Sequence, residues 1–240
     1  MYNPKGVNLL KNIDTKEVKK FDTLAYRWWD KEGSLKTLHH INPARLDFIE
    51  TQISLDAQQV IDVGCGGGIL TEALAKKGAH VHGIDASEKL IFIAKQHAQQ
   101  SQLDITYQQC TAESLAKERT QQFDIVTCME LLEHVPDPQI LVDACAQLVK
   151  PGGHVFFSTV NRTPKAFTLA IIGAEYIMNL LPKGTHEYSK FIQPAELDSC
   201  ARHAQLKLKS LKGIHYNPFT KTCRLTNDLS VNYLACYTHN

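Results

Sequence analysis

Through the middle of the chain, short apolar runs alternate with longer stretches whose apolar positions recur at helical spacing. The pattern predicts strands over 59–63, 80–84, 104–109, 123–128 and 153–159, and helices over 69–77, 87–100 and 138–149. Lys150-Pro151-Gly152-Gly153 stops the last of these helices and turns the chain into the next strand. A helix over 194–203 then precedes two more strands, 207–214 and 231–237, which form the hairpin-like pair completing the sheet. Such alternation predicts an α/β fold: a mostly parallel seven-stranded sheet with helices on both faces. Ahead of it, Val18, Phe21, Leu24, Ala25, Trp28 and Trp29 fall at helical spacing between Lys16 and Asp30. A shorter helix over 44–53 follows Asn42-Pro43. The expected organisation is an N-terminal helical extension, 1–54, and an α/β domain, 55–240, carrying an apolar insertion over 162–192.

One junction carries chemistry. Val60-Ile61-Asp62-Val63 runs into Gly64-Cys65-Gly66-Gly67-Gly68, a helix follows, and the second strand ends in Asp85. Glycines let backbone amides approach a ligand at a helix N-terminus, and an acid so placed accepts hydrogen bonds from ribose hydroxyls. A dinucleotide fingerprint needs a third small residue where helix packs on strand. That position is Ile69 counting from Gly64 and Thr71 counting from Gly66, so the pyrophosphate reading is disfavoured. The turn instead resembles the D-x-G-x-G-x-G motif of Rossmann-like S-adenosylmethionine-dependent methyltransferases. That resemblance implies a loop lying against the amino-acid part of the donor, with Asp85 holding the ribose.

Bulk properties narrow the partners. At 240 residues and 43% hydrophobic content the chain buries a sizeable core. Net charge is +1 with no basic block, which argues against nucleic acid. Seven cysteines without a CxxC pair suggest reduced thiols in the cytoplasm. Met1 to Leu10 lacks a signal-peptide layout, and no run reaches the ~18 apolar residues of a spanning helix.

Phe123-Asp124-Ile125-Val126-Thr127-Cys128-Met129-Glu130 with Leu131-Leu132-Glu133-His134-Val135 resembles the fourth strand and following loop of the same methyltransferase class. Narrower signatures are Arg27-Trp28-Trp29-Asp30, Leu38-His39-His40-Ile41-Asn42-Pro43-x-Arg45, Gly173-Ala174-Glu175-Tyr176-Ile177, Pro182-Lys183-Gly184-Thr185-His186 and His215-Tyr216-Asn217-Pro218. Together they closely resemble the bacterial ubiquinone-biosynthesis O-methyltransferases from about residue 16 to the C-terminus. The resemblance implies O-methylation of polyprenyl catechols and related quinol precursors, at two steps.

A neutral phenol, titrating near ~10, is a weak nucleophile at neutral pH, so its proton must be managed. Glu130, Glu133 and His134 follow the fourth strand, where open α/β sheets bind ligands. On one helical turn they share a face and offer two carboxylates and an imidazole to a divalent ion. The eukaryotic relatives imply Mg2+ there. His134 acting alone as general base is the alternative, and ordering of the loop by Glu133 and His134 a third. Met129 packs on the donor or sits in the core. Asp62 orders the glycine turn and faces the donor ammonium. Arg45 alone reads as a surface helix arginine; the resemblance sets its guanidinium against the donor carboxylate in two-point geometry. Ala112-Glu113 falls where this class contacts adenine.

The stretch from Ala166 to Leu181 is apolar apart from Thr168, Glu175 and Asn179, and Arg162, Lys165, Lys183 and Lys190 flank it. It is too short to span a bilayer and too apolar for an ordinary exposed helix. We expect a lid that docks on the bilayer surface and admits a membrane-dissolved polyprenyl phenol, against a buried core helix as the alternative. The expected setting is cytoplasmic, peripheral to the inner membrane, beside other ubiquinone-biosynthesis enzymes. A lipid-binding scaffold would not need both the glycine turn and Asp85, and a nicotinamide-dependent reductase is disfavoured by Ile69.

Overall fold

The computed structural model describes residues 12–168 and 187–240. An eight-stranded sheet runs in the order β3-β2-β1-β4-β5-β8-β6-β7. Its strands are β1 (Gln59–Val63), β2 (His80–Asp85), β3 (Thr106–Gln109), β4 (Phe123–Met129), β5 (Val149–Val160), β6 (Leu206–Asn217), β7 (Thr222–Thr226) and β8 (Asn232–His239). The five strands β1 to β5 are mutually parallel. β8 enters between β5 and β6, antiparallel to both, and β7 pairs antiparallel with the outer edge of β6. The expected count of seven strands misses β7. Its sequence, Thr-Cys-Arg-Leu-Thr, is too short and too polar to stand out, and it forms as the return arm of a hairpin on a long β6.

The helices are α1 (Thr15–Asp22), α2 (Lys36–Glu50), α3 (Ile69–Ala75), α4 (Glu88–Gln100), α5 (Ala112–Glu118), α6 (Pro138–Leu148), the single turn α7 (Pro164–Ala166) and α8 (Pro194–His203). Side chains close the exposed amides at several N-termini. Ser87 accepts from the Leu90 amide, Thr111 from Ser114, and Asp137 from Gln139 ahead of Pro138. Helix α5, between β3 and β4, was not expected; Thr111 starts it, and Ala112, Leu115 and Ala116 bury its inner face.

Two N-terminal expectations need correction. The helix predicted over 16–30 stops at Asp22, and Ala25–Arg27 forms a separate 3₁₀ turn. The Thr23 hydroxyl donates to the Lys20 carbonyl, and tertiary contacts then claim the tryptophans individually. The second helix begins at Lys36, before Pro43 and not after it. Proline removes one amide from the ladder, but burial of Ile41, Ala44, Phe48 and Ile49 holds the helix through that gap.

The core lies on both faces of the sheet, and adjacent residues of β5 serve opposite sides. Phe156 meets Phe48 of α2 edge-on with centroids 6.0 Å apart, whereas Phe157 meets Tyr237 on the α6 and α8 side. All four rings are fully buried. This two-sided packing is what a parallel sheet requires, and it leaves only the strand ends open for chemistry.

Candidate active site

Strand order reverses between β1, which neighbours β2, and β4, and the carboxyl ends of the two strands part there. Such a switch point is where open α/β sheets bind ligands. The glycine turn leaves β1 at this crevice. Gly64 and Cys65 both donate their amides to the Ile84 carbonyl, at 2.8 and 2.9 Å, clamping the turn onto β2. Gly66 takes a left-handed φ of +55°, and any Cβ there would collide with the Trp28 indole.

Asp85 ends β2 beside the turn. One carboxylate oxygen accepts the Gly66 amide at 3.0 Å and the other accepts the Ser87 amide at 2.8 Å. Loss of water around it pushes its carboxyl up to about 6. Asp62, buried in β1, accepts the hydroxyls of Thr71 at 2.6 Å and Thr127 at 2.7 Å. It thereby ties β1 to α3 and β4 and orders the start of the turn; burial raises its pKa.

At the end of β4, Met129 belongs to the core around Phe48 and Phe156 and also contributes to the crevice wall. Glu130 sits in the left-handed region, at φ +47°. An L side chain is held there only by its surroundings. The Glu130 amide donates to the Ser158 carbonyl and hydroxyl, both at 3.0 Å, while its carboxylate accepts the Ser158 hydroxyl and pairs with Arg45. Arg45 is 5% exposed and is no surface arginine; its buried Nε has no hydrogen-bond partner among the described residues.

Glu130, Glu133 and His134 are not brought together as a metal set. Glu133 and His134 lie on a 3₁₀ turn, and Glu130 stands outside it. Each addresses a different partner: Glu130 meets Arg45 and Ser158, Glu133 accepts the Thr159 hydroxyl at 2.8 Å, and His134 meets Glu17 at 2.8 Å. Among the described residues no three His, Cys, Asp or Glu side chains gather to hold an ion. As arranged, these residues do not fit Mg2+.

A cavity of about 760 Å³, in the range of small-molecule sites, joins these groups. Arg45, Asp62, Gly64, Gly66, Asp85, Met129, Glu130 and His134 all line it. Its far wall comes from the β6–β7 hairpin through Ile214, His215, Tyr216 and Arg224. The N-terminal segment forms the remaining side, a contribution the sequence pattern did not assign. Trp28 lies on Gly66 and Gly67, Trp29 donates to the Gly67 carbonyl at 2.9 Å, and Asp22 accepts the Ser87 hydroxyl. Asn12 donates to Glu113 at 2.9 Å and to the Asp137 carbonyl. An Arg-Trp-Trp-Asp run beside an amphipathic helix was the available signal, but nothing in it named the glycine turn as target.

The chain matches the family model described as a methyltransferase domain over residues 31–211. It is 54% identical to the ubiquinone biosynthesis O-methyltransferase of Pseudomonas entomophila, covering 94% of this chain and 97% of that one. The protein of the same name from Coxiella burnetii is 57% identical over 95% of this chain and 97% of its own. Among solved structures, magnesium protoporphyrin IX methyltransferase from Synechocystis PCC 6803 superposes with a TM-score of 0.71, at 18% identity, covering 94% of this chain and 99% of that one. The PH0226 protein of Pyrococcus horikoshii superposes with a TM-score of 0.65 at 15% identity, covering 92% of this chain and 99% of that one. The distant structures establish the fold; identity across nearly the whole chain establishes more, and the protein belongs to the ubiquinone biosynthesis O-methyltransferases.

Proposed function

We propose that the protein transfers a methyl group from S-adenosylmethionine to ring hydroxyls of polyprenyl catechol and demethylubiquinol intermediates of ubiquinone synthesis. The observation that carries this reading is one cavity lined both by Asp85, held by the Gly66 and Ser87 amides beside the glycine turn, and by the imidazole of His134 on the turn after β4.

The donor brings an activated methyl on a sulfonium; the protein supplies alignment and handles one proton. Asp85, with its carboxylate steadied by two backbone amides, receives the ribose hydroxyls. The buried Arg45 Nε offers an unused donor to the amino-acid carboxylate. Asp62, raised by burial and partly satisfied by two threonines, faces the ammonium end and is more readily ionised with that cation beside it. His134 takes the acceptor's hydroxyl proton at a ring nitrogen. The β6–β7 hairpin walls the acceptor side.

Calorimetry with S-adenosylmethionine and a labelled-methyl assay on a short-tailed catechol test this together. We expect transfer to oxygen by the wild type, and donor binding weakened about tenfold to a hundredfold by Asp85→Ala, the loss of charge-assisted hydrogen bonds. Unchanged donor affinity in that variant would remove the basis of the reading.

The acceptor's isoprenoid tail motivates the second part of the proposal, docking on a bilayer surface. Most of the apolar stretch that would dock, Ala166 to Leu181, lies outside the described residues from position 169 onward, as do the Gly173–Ile177 and Pro182–His186 signatures. At its described borders Phe167 is 40% exposed, while Arg162, Lys165 and Lys190 are each ion-paired within the protein. Support therefore rests on apolar character more than on free charge. Among the described residues no helix is long and apolar enough to cross a membrane. Co-sedimentation with liposomes is expected for the wild type and lost in Ile171→Glu, Ile172→Glu; equal sedimentation of a folded double variant would favour a buried helix.

A further inference from the structure

Glu17 is separated from His134 by 117 residues of chain, yet its Oε2 lies 2.8 Å from His134 Nδ1. Both side chains are largely enclosed, at 13% and 10% exposure. Phe21, one turn further along α1, sets its ring edge-on to the imidazole at 5.1 Å. A carboxylate at Nδ1 accepts a hydrogen bond from Nδ1–H, which keeps the proton on that nitrogen and leaves Nε2 as the lone-pair nitrogen, the form a general base needs. His134 lines the cavity that holds the donor-site residues.

We infer that Glu17 is a positioning residue for methyl transfer: from the N-terminal segment it fixes the tautomer and ring orientation of His134. This rests on the reading of His134 as proton acceptor given above. In the reacting complex the acceptor O–H breaks and its proton passes to His134 Nε2. The oxygen pair forms the new bond to the methyl carbon, and the old carbon–sulfur pair stays on sulfur, which becomes neutral. The positive charge thus moves from sulfonium to imidazolium, against which Glu17 already lies.

The same segment touches the glycine turn through Trp28 and Trp29 and the start of α4 through Asp22. One strap therefore seals the donor side and completes the base. Helix α1 lies outside the strand–helix alternation, so a core retaining its sheet would still lack an oriented His134 once α1 left it.

The test compares wild type, Glu17→Gln and Glu17→Asp. We expect Glu17→Gln to lower the single-turnover rate of methyl transfer about 10- to 100-fold, within the range of general acid–base contributions, with donor affinity and melting temperature near wild type. Glu17→Asp should recover part of the loss. Nitrogen-15 spectra of the neutral His134 ring should show protonation at Nδ1 in the wild type and a mixture of tautomers in Glu17→Gln. A wild-type ring protonated at Nε2 would overturn the inference without recourse to any variant. So would a Glu17→Gln protein with a wild-type single-turnover rate, or one that loses melting temperature and donor affinity while its tautomer is unchanged. Failure of the wild type itself to methylate a catechol would strike the proposed function instead, so the two failures are distinguishable.

Discussion

Single residues at this crevice hold conformations and charges that cost free energy elsewhere in a protein. Asp85 is the clearest case, its carboxyl pushed up to about 6 from an ordinary 3.8 by loss of solvent. A raised carboxyl means that the folded protein keeps a proton already released by the unfolded chain. Its contribution to stability therefore falls as pH rises from about 4 to about 6. Donor binding runs the other way, because ribose hydroxyls donate to the ionised carboxylate. Donor affinity should rise with pH through about 6 and fall about tenfold per unit below it. Calorimetry between about pH 5 and pH 8 checks this, with Asp85→Asn expected to give weaker binding and a flat profile. Asp85 and the glycines were legible in the sequence because a tight turn next to an acid is a local pattern. The left-handed backbone of Glu130, the enclosure of Arg45 and the Glu17–His134 pair were not. Each depends on contacts between segments far apart in the chain, to which hydrophobic periodicity is blind.

At the level of elements, the junction of β1 and α3 works only with the strap in place. Gly66 combines a left-handed φ with an indole where a Cβ would sit. Gly66→Ala should therefore cost about 1–3 kcal/mol of stability, part of it backbone strain and part steric. Thermal or denaturant unfolding of Gly66→Ala, Trp28→Ala and the double variant separates these. The double variant should be more stable than the sum of the two single effects predicts, because removing the indole relieves the clash but not the strain. Most strands and helices of the domain lie within a few residues of where periodicity puts them. The misses have local causes: α5 and β7 are too short to show a period, and the tryptophans following α1 obey helical spacing by coincidence while both are held by the glycine turn, Trp28 on Gly66 and Gly67 and Trp29 at the Gly67 carbonyl. The helix across Pro43 shows burial overriding a local signal.

For the molecule as a whole, the sheet separates two tasks: its faces carry the core, and the ends of its strands carry the chemistry. The fold class followed from alternation alone, whereas the extra strand and the strap are built onto the parallel sheet by contacts the alternation does not encode. The strap spans the crevice from Asn12 to Trp29 and is fastened at Glu113, His134, Ser87 and Gly67 by four separate side-chain contacts. If the spent thioether leaves past this strap, several of these fastenings must let go together, and escape of the by-product, not bond making, then governs the clock of the enzyme. Rapid-quench measurements ought then to register a first round of product approaching one equivalent per molecule of protein, succeeded by a slower steady rate. Added viscogen should retard that second phase and leave the first untouched.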